Sequence, residues 1–187
     1  MELELLIVGF GGVGQTYFME FCQKQDIKIN STIDKDKLKH LSDPNNLKIK
    51  IEKCIYIYND PYKSIRSHFR RRWQKDQILK LGNPFNLSVN DYCNYQNFEK
   101  KVIENKTDVF GIENHFDKWI NGNLPFPILF LDFNEILNNT EKIDTFLDKK
   151  LDYSSFTISE RTKYKIEENE VFEIYDKLYN KMKNKIT

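Results

Sequence analysis

The chain has 187 residues, which is enough for a single domain spanning residues 1–187 with a sizeable hydrophobic core. Its 29 lysine and arginine residues against 28 aspartate and glutamate residues leave a net charge of +1, which argues against a nucleic-acid partner held by a broad basic surface. We find no secretory leader and no run of about 20 apolar residues, so we expect a cytoplasmic protein with no membrane partner.

The three cysteines, Cys22, Cys54 and Cys93, are too far apart to form a metal-binding pair. Sparse, odd-numbered cysteines predict reduced thiols, as in a cytosolic protein. Apolar neighbours place Cys22 and Cys54 in the predicted core.

Hydrophobic patterning in the first third of the chain predicts strands that alternate with helices. Residues 3–8 form a short apolar run that ends at a glycine, which indicates a strand buried on both faces. We predict a helix at 16–25, a second strand at 27–33 and a short helix at 34–41. Residues 53–58 are β-branched and aromatic, which favours a central strand.

The rest of the chain continues this alternation. Pro61 suits a first helical turn and starts a predicted helix that runs to Trp73. A buried strand is expected at 127–133, and further helices at 89–104, 109–120, 134–147 and 169–184. The order predicts an α/β fold with a mostly parallel central sheet flanked by helices. Ligands bind beyond the carboxyl ends of such strands, so the loops after Val8, Tyr58 and Phe133 matter most.

Four glycines lie between the first predicted strand and helix: Gly9, Gly11, Gly12 and Gly14. The first, second and fourth fit G-x-G-x-x-G, the dinucleotide-binding pattern. The segment that ends at Thr16 also fits the phosphate-loop pattern G-x-x-x-x-G-K-[ST], with Gln15 in place of the lysine. In both patterns glycine lets the backbone approach phosphate oxygens, and N–H groups at the helix start face the anion. We therefore predict a phosphate-bearing nucleotide at this loop.

The loop by itself leaves both patterns open. Asp34 lies 20 residues after Gly14, where a dinucleotide-binding protein has its acidic residue, but Asp34 is equally suited to cap a helix. In a kinase or ATPase the loop lysine supplies positive charge along the phosphates, and Gln15 has none.

Segments elsewhere carry further patterns in a fixed order. Residues 39–42 read Lys-His-Leu-Ser; residues 53–68 contain an apolar strand, Asn59, Pro61 and, six residues after the proline, Ser67. Residues 110–119 place His115 and Trp119 after Phe-Gly, and residues 128–136 read Ile-Leu-Phe-Leu-Asp-Phe-Asn-Glu-Ile, with Phe-Leu at 146–147. Together with the glycine loop, these segments resemble the sulfotransferases that use 3′-phosphoadenosine 5′-phosphosulfate. The family patterns are P-K-S-G-T-T-W, T-H-L-P, R-x-P with its serine, G-S-W-x-x-H-x-x-x-W and L-x-x-x-Y-E-D-L.

The resemblance covers roughly residues 3 to 150 and implies a P-loop nucleotide-kinase type of fold, a three-layer sandwich. It implies transfer of a sulfuryl group from the phosphosulfate donor to the hydroxyl or amine of a small-molecule or glycan acceptor, with no metal. His40 would be the general base. Asn59, Arg66 and Ser67 would lie at the donor's 3′-phosphate. The donor's 5′-phosphosulfate would lie on the loop residues Gly11, Gly12, Gly14, Gln15, Thr16 and Tyr17.

Two positively charged residues of the family patterns are missing here. Gly12 and Gln15 stand on either side of the place of the loop lysine, and Asn59 replaces the arginine. Lys39, Arg66 or Arg161 would have to substitute, and residues 161–163 are the nearest match to the family's late R-K-G segment. The rival hypotheses are a non-catalytic nucleotide-binding relative and an NAD(P)-binding oxidoreductase that uses Asp34. We expect His68 and His115 to be structural, and Trp73 and Trp119 to lie in the core.

Overall fold

Three parallel strands form the sheet: β1 (Glu2–Val8), β2 (Lys50–Tyr58) and β3 (Ile128–Asp132). β2 lies between the other two and pairs with both along its length. The structure, a computed structural model, describes residues 2–158 and 169–186. The predicted α/β class is therefore confirmed, as are three of the four predicted strands, which are parallel.

Eight α-helices surround the sheet in the described residues: α1 (Gln15–Lys24), α2 (Pro61–Arg71), α3 (Gln74–Lys80), α4 (Val89–Tyr92), α5 (Tyr95–Asn105), α6 (Ile112–Ile120), α7 (Thr140–Leu147) and α8 (Glu170–Ile186). Short 3₁₀ helices lie at Pro44–Asn46, Phe133–Asn139 and Tyr153–Ser155. None of the described helices combines the length and the apolar character needed to cross a bilayer.

The expected second strand at 27–33 is wrong, because only Ile29 forms a bridge, to Leu5 of β1. The neighbouring Asn30 is buried and replaces the backbone ladder with its side-chain amide. Its Oδ1 accepts the N–H of Ile7 at 2.9 Å, and its Nδ2 donates to the Ile7 carbonyl at 3.0 Å. A side chain thus satisfies the backbone groups that a second strand would have paired.

The expected helix at 34–41 is also wrong. Asp34 and Lys37 have φ values of 59°, a left-handed conformation that no α-helix tolerates. The Asp34 carboxylate accepts the backbone N–H of Lys39 at 3.0 Å and closes a tight turn in place of a helix.

Other differences are local. The helix predicted at 89–104 is divided, because Asn94 caps the start of α5 with its side chain. Trp73 is not in the core: 52% of it is exposed, and the guanidinium of Arg71 lies 4.8 Å from its ring. Trp119, Cys22 and Cys54 are fully buried, as predicted.

The core lies on the sheet and continues between helices. In β1, the side chains from Leu5 to Val8 are completely buried, which explains the uninterrupted apolar sequence. Tyr56 of β2 contacts Phe116 and Phe130 in an aromatic cluster. α8 packs against α2 and α5 and covers this part of the helical layer.

Candidate functional site

The glycine loop lies at the carboxyl end of β1, the edge strand of the three-stranded sheet. Leu5 bridges Ile29 on one side of β1 and pairs with Lys53 of β2 on the other. The chain therefore passes first to one side of β1 and then to the opposite side. In open α/β sheets ligands bind outside the carboxyl ends of the strands, which is where this loop lies.

The backbone of the loop is left with unused donors. Gly11, Gly12 and Gly14 have φ values of 82°, 72° and 86°. From Phe10 to Thr16, no backbone N–H donates a hydrogen bond to another described residue. Consecutive free N–H groups before a helix are the property that anion-binding loops share.

Gly14 is needed for steric reasons as well. A Cβ added at Gly14 would lie 2.5 Å from the ring of Phe133, which follows β3. The left-handed backbone and this close approach together leave room only for glycine.

Lys39 brings a cation to the start of α1. Its Nζ donates to the Thr16 hydroxyl at 2.6 Å and to the Thr32 carbonyl at 2.5 Å. The residue is buried, and burial lowers the pKa of its ammonium, while the charge of Asp34 opposes that shift. A buried ammonium held by two neutral oxygens lacks a full counter-charge, which favours an anion beside it.

Gln15, at the position of the motif lysine, points into the core. Its Nε2 donates to the carbonyls of Ile7 and Lys39 at 3.0 and 2.9 Å, and only 2% of the residue is exposed. The side chain therefore fastens the Lys39 segment to β1. The Oε1 of Gln15 accepts no hydrogen bond from the described residues, and its backbone N–H is the donor that remains for an anion.

His40 is fixed beside the loop by its ring nitrogen. Nδ1 lies 2.8 Å from the carbonyl oxygen of Gly9, which can only accept, so Nδ1 carries the proton and Nε2 the lone pair. Burial lowers the pKa of His40 to about 4. The imidazole is therefore neutral at pH 7, and the lone pair of Nε2 accepts no hydrogen bond from the described residues.

His68 of α2 lies against the loop, although we expected this residue to be structural. A Cβ on Gly12 would lie 3.1 Å from its Nε2 and 3.0 Å from the carbonyl oxygen of Ser64, one turn earlier. His68 is 3% exposed, and neither ring nitrogen has a hydrogen-bond partner in the described structure. Burial lowers its pKa to about 4, and the nearby Gly11 backbone opposes the shift. The spacing of Ser64 and His68, which suits one helix face, is the signal that could have identified them.

None of the three residues expected at a 3′-phosphate forms a hydrogen bond with the loop. Asn59 exchanges side-chain hydrogen bonds with Asn134, at the carboxyl ends of β2 and β3. Ser67 accepts from Arg71, four residues later. Arg66 lies on the opposite face of α2 from His68, with its guanidinium 4.4 Å from the ring of Tyr95.

The side chain of Tyr17 contacts residues 155–157. Its hydroxyl donates to the Ser155 carbonyl at 3.5 Å and accepts the N–H of Thr157 at 3.1 Å, and its ring stacks on Phe156. It ties the chain after α7 to α1. Residues 161–163, the predicted late donor segment, lie outside the described residues.

Both carboxylate oxygens of Asp34 contact other residues of the chain. One carboxylate oxygen accepts the N–H of Lys39, and the other forms a 2.6 Å salt bridge with Lys80 of α3. A dinucleotide-binding acid must leave its oxygens for the ribose hydroxyls. The placement of Asp34 therefore argues against the dinucleotide alternative.

Two surface cavities lie away from the loop. One, of about 380 Å³, is lined by the ends of α5 and α6 and by α8, and includes Asp108 and Lys177. The other, of about 580 Å³, lies between β3 and α7, beside Leu129 and Phe146. Neither is lined by a residue of the glycine loop. Comparison with known proteins gives no match to a family model, to a curated protein or to a solved structure.

Proposed function

We propose that the protein binds the phosphate or phosphosulfate group of a nucleotide at the glycine loop, and that the nucleotide is of the 3′-phosphoadenosine 5′-phosphosulfate class. The contact of the Lys39 ammonium with the Thr16 hydroxyl carries this proposal. It returns to the start of α1 the positive charge that Gln15 lacks. A cation, a hydroxyl and free N–H groups form a donor set suited to a tetrahedral anion.

His68 supports the same proposal independently. Its buried ring beside Gly12 has two nitrogens without a hydrogen-bond partner in the described structure. A buried polar group without a partner is costly in a folded protein. A ligand that brings negative charge to the loop would provide a partner and would favour the protonated ring.

The local charge also favours an anion. Lys39 and His40 act on each other electrostatically, and Arg71 and Lys80 act in the same way on His68. Two carboxylates oppose them: Asp34, which is already paired with Lys80, and Glu20, which acts on Lys39.

Sulfuryl transfer is the reaction that we propose for this site. His40 offers a neutral imidazole whose Nδ1–H is held by Gly9, so that Nε2 would accept the proton of an attacking hydroxyl or amine. In-line transfer of this kind depends on positioning and on neutralising charge, for which the loop and Lys39 would serve. The Ser67–Arg71 pair in α2 is the candidate group for the 3′-phosphate, with a P-loop type of three-layer fold as the frame.

Ligand-dependent thermal unfolding tests the binding step. Adenosine 3′,5′-bisphosphate should raise the melting temperature, with adenosine triphosphate and the reduced nicotinamide dinucleotide giving smaller shifts. Stabilisation by the dinucleotide alone would favour the oxidoreductase hypothesis and contradict this proposal. No shift with any of the three would remove the nucleotide site altogether.

A transfer assay with radiolabelled donor then separates an enzyme from a binding protein. His40→Ala should abolish transfer to an acceptor library while the bisphosphate still binds. Binding without transfer in the wild-type protein would support the second hypothesis, a nucleotide-binding relative that has lost its chemistry.

A further inference from the structure

Side chains from outside the glycine loop hold two of its carbonyl groups. The Gly9 carbonyl accepts the Nδ1–H of His40, and the Phe10 carbonyl accepts the side-chain amide of Gln77, from α3, at 2.8 Å. Gln77 is 5% exposed, and its amide carbon lies 2.8 Å from the position that a Cβ on Gly11 would occupy. α3 is thus in direct contact with the loop, although no sequence pattern connects the two.

These two contacts determine where the loop N–H groups point. A trans peptide unit directs its C=O and its N–H to opposite sides, and the described chain has no cis peptide bond. Because the Phe10 carbonyl is turned toward Gln77, the N–H of Gly11 faces away from α3. The hydrogen bond from His40 to the Gly9 carbonyl likewise fixes the direction of the Phe10 N–H, which belongs to the same peptide unit. The N–H groups of Phe10 and Gly11 have no acceptor among the described residues.

We propose that Gln77 is a positioning residue for anion binding: its amide holds the Phe10–Gly11 peptide so that the Gly11 N–H is directed at the bound phosphate. The inference rests on the proposed function. Glycine has no Cβ to limit its backbone, so a loop rich in glycine samples many peptide orientations unless contacts select one. Selecting the productive orientation before the ligand arrives removes an ordering cost from binding.

Glycine amide spectra of the full chain test this role. The chain has 7 glycines, so ¹⁵N-glycine labelling gives a small, assignable set of signals. Titrating adenosine 3′,5′-bisphosphate into the wild-type protein should shift the Gly11 amide proton downfield and leave Gly122 unchanged. In Gln77→Met we expect roughly tenfold weaker binding and a reduced Gly11 shift, as for the loss of one positioned hydrogen bond.

Gln74→Met is the matched control. Gln74 also lies in α3 and donates its side-chain amide to a backbone carbonyl, that of Tyr92, at 3.1 Å. The control makes the same chemical change in the same helix without touching the loop, so it should bind as the wild-type protein does.

The outcomes separate the two proposals. If the loop glycines of the wild-type protein do not respond, the proposed nucleotide site is wrong, and the role of Gln77 is wrong with it. If Q77M keeps wild-type affinity and the full Gly11 shift, only the positioning role is wrong. Should Q77M fail to fold, a scalar coupling across the hydrogen bond from Gln77 Nε2 to the Phe10 carbonyl carbon decides in the ligand-bound wild-type protein. Its presence supports the role, and its absence overturns it.

Discussion

The ammonium of Lys39 lies 2.6 Å from the hydroxyl of Thr16, although 23 residues separate them in the chain. This contact places a buried cation at the N-terminus of α1, the position where an anion gains from the helix dipole and from free N–H groups. It also shows how a loop can lack the motif lysine and still have an ammonium beside it.

Removing the Lys39 charge should weaken nucleotide binding. Lys39→Met keeps the length of the side chain and removes the ammonium, and a charge-assisted hydrogen bond is worth about 1.5–3 kcal/mol. We expect adenosine 3′,5′-bisphosphate to bind roughly 10- to 100-fold more weakly by isothermal titration calorimetry. Lys35→Met, at an exposed lysine of the same segment, is the control and should bind normally. Equal affinity of the two variants would contradict the role of Lys39.

Restoring the motif lysine at position 15 should not help. Gln15→Lys places an ammonium where 2% of the native residue is exposed, facing the carbonyls of Ile7 and Lys39. We expect a loss of about 3–5 kcal/mol in the free energy of unfolding, measured by urea denaturation, because the charge is buried without a counter-charge. Glu20→Lys adds a lysine to the exposed face of α1 and should cost far less. Tighter nucleotide binding by Q15K would show that the position 15 side chain faces the ligand.

The loop glycine Gly14 should be far less replaceable than Gly82. Both have positive φ values, 86° and 89°, so alanine at either position costs about 1–3 kcal/mol of backbone strain. At Gly82 the new methyl group would meet only Ser42, at 3.9 Å, whereas at Gly14 it would lie 2.5 Å from the Phe133 ring. We therefore expect Gly14→Ala to lower the melting temperature well below that of Gly82→Ala.

A double-mutant cycle identifies the source of this difference. Phe133→Ala should relieve part of the Gly14→Ala defect, because it removes the ring that the new methyl group meets. Simple additivity of the two changes would show that the ring is not responsible.

Stability should fall as the pH is lowered from 7 toward 4. Burial lowers the pKa of His40 and His68 to about 4 and that of His115 to about 3. In the unfolded chain the histidine pKa is about 6.5. Below that pH the unfolded chain binds more protons than the folded state, so acid favours unfolding. The pKa of Asp108, which burial raises to about 6, acts in the opposite direction. Between pH 7 and 5 each histidine lowers the free energy of unfolding by about 2 kcal/mol, which equals or exceeds the opposing contribution of Asp108.

Urea midpoints measured from pH 7 to 5 check the sign, and proton spectra of the 3 histidines check the cause. All three ring signals should titrate below about pH 5 in the folded protein without ligand. A histidine that titrates near its ordinary value would be exposed, contrary to its placement here.

Local patterns were sufficient for the three strands of the sheet and for most helices. The apolar run of β1 and the β-branched residues of β2 predicted strands correctly, since buried strands need such side chains at successive positions. The failures at Asn30 and Asp34 have one origin, in that polar side chains replaced backbone hydrogen bonds. A sequence pattern reports propensity and periodicity, and it does not report which acceptor a side chain will find.

The sequence by itself therefore determined that a glycine loop joins a buried strand to a helix, because only glycine accepts those backbone angles beside packed neighbours. Tertiary structure alone decided which groups surround it. It brings Lys39, His68 and Gln77 to the loop, turns Gln15 inward and leaves Arg66 on the far face of α2. The physical reason is that a binding site depends on distances between segments remote in the chain, and those distances are set by the packing of the helices on the sheet.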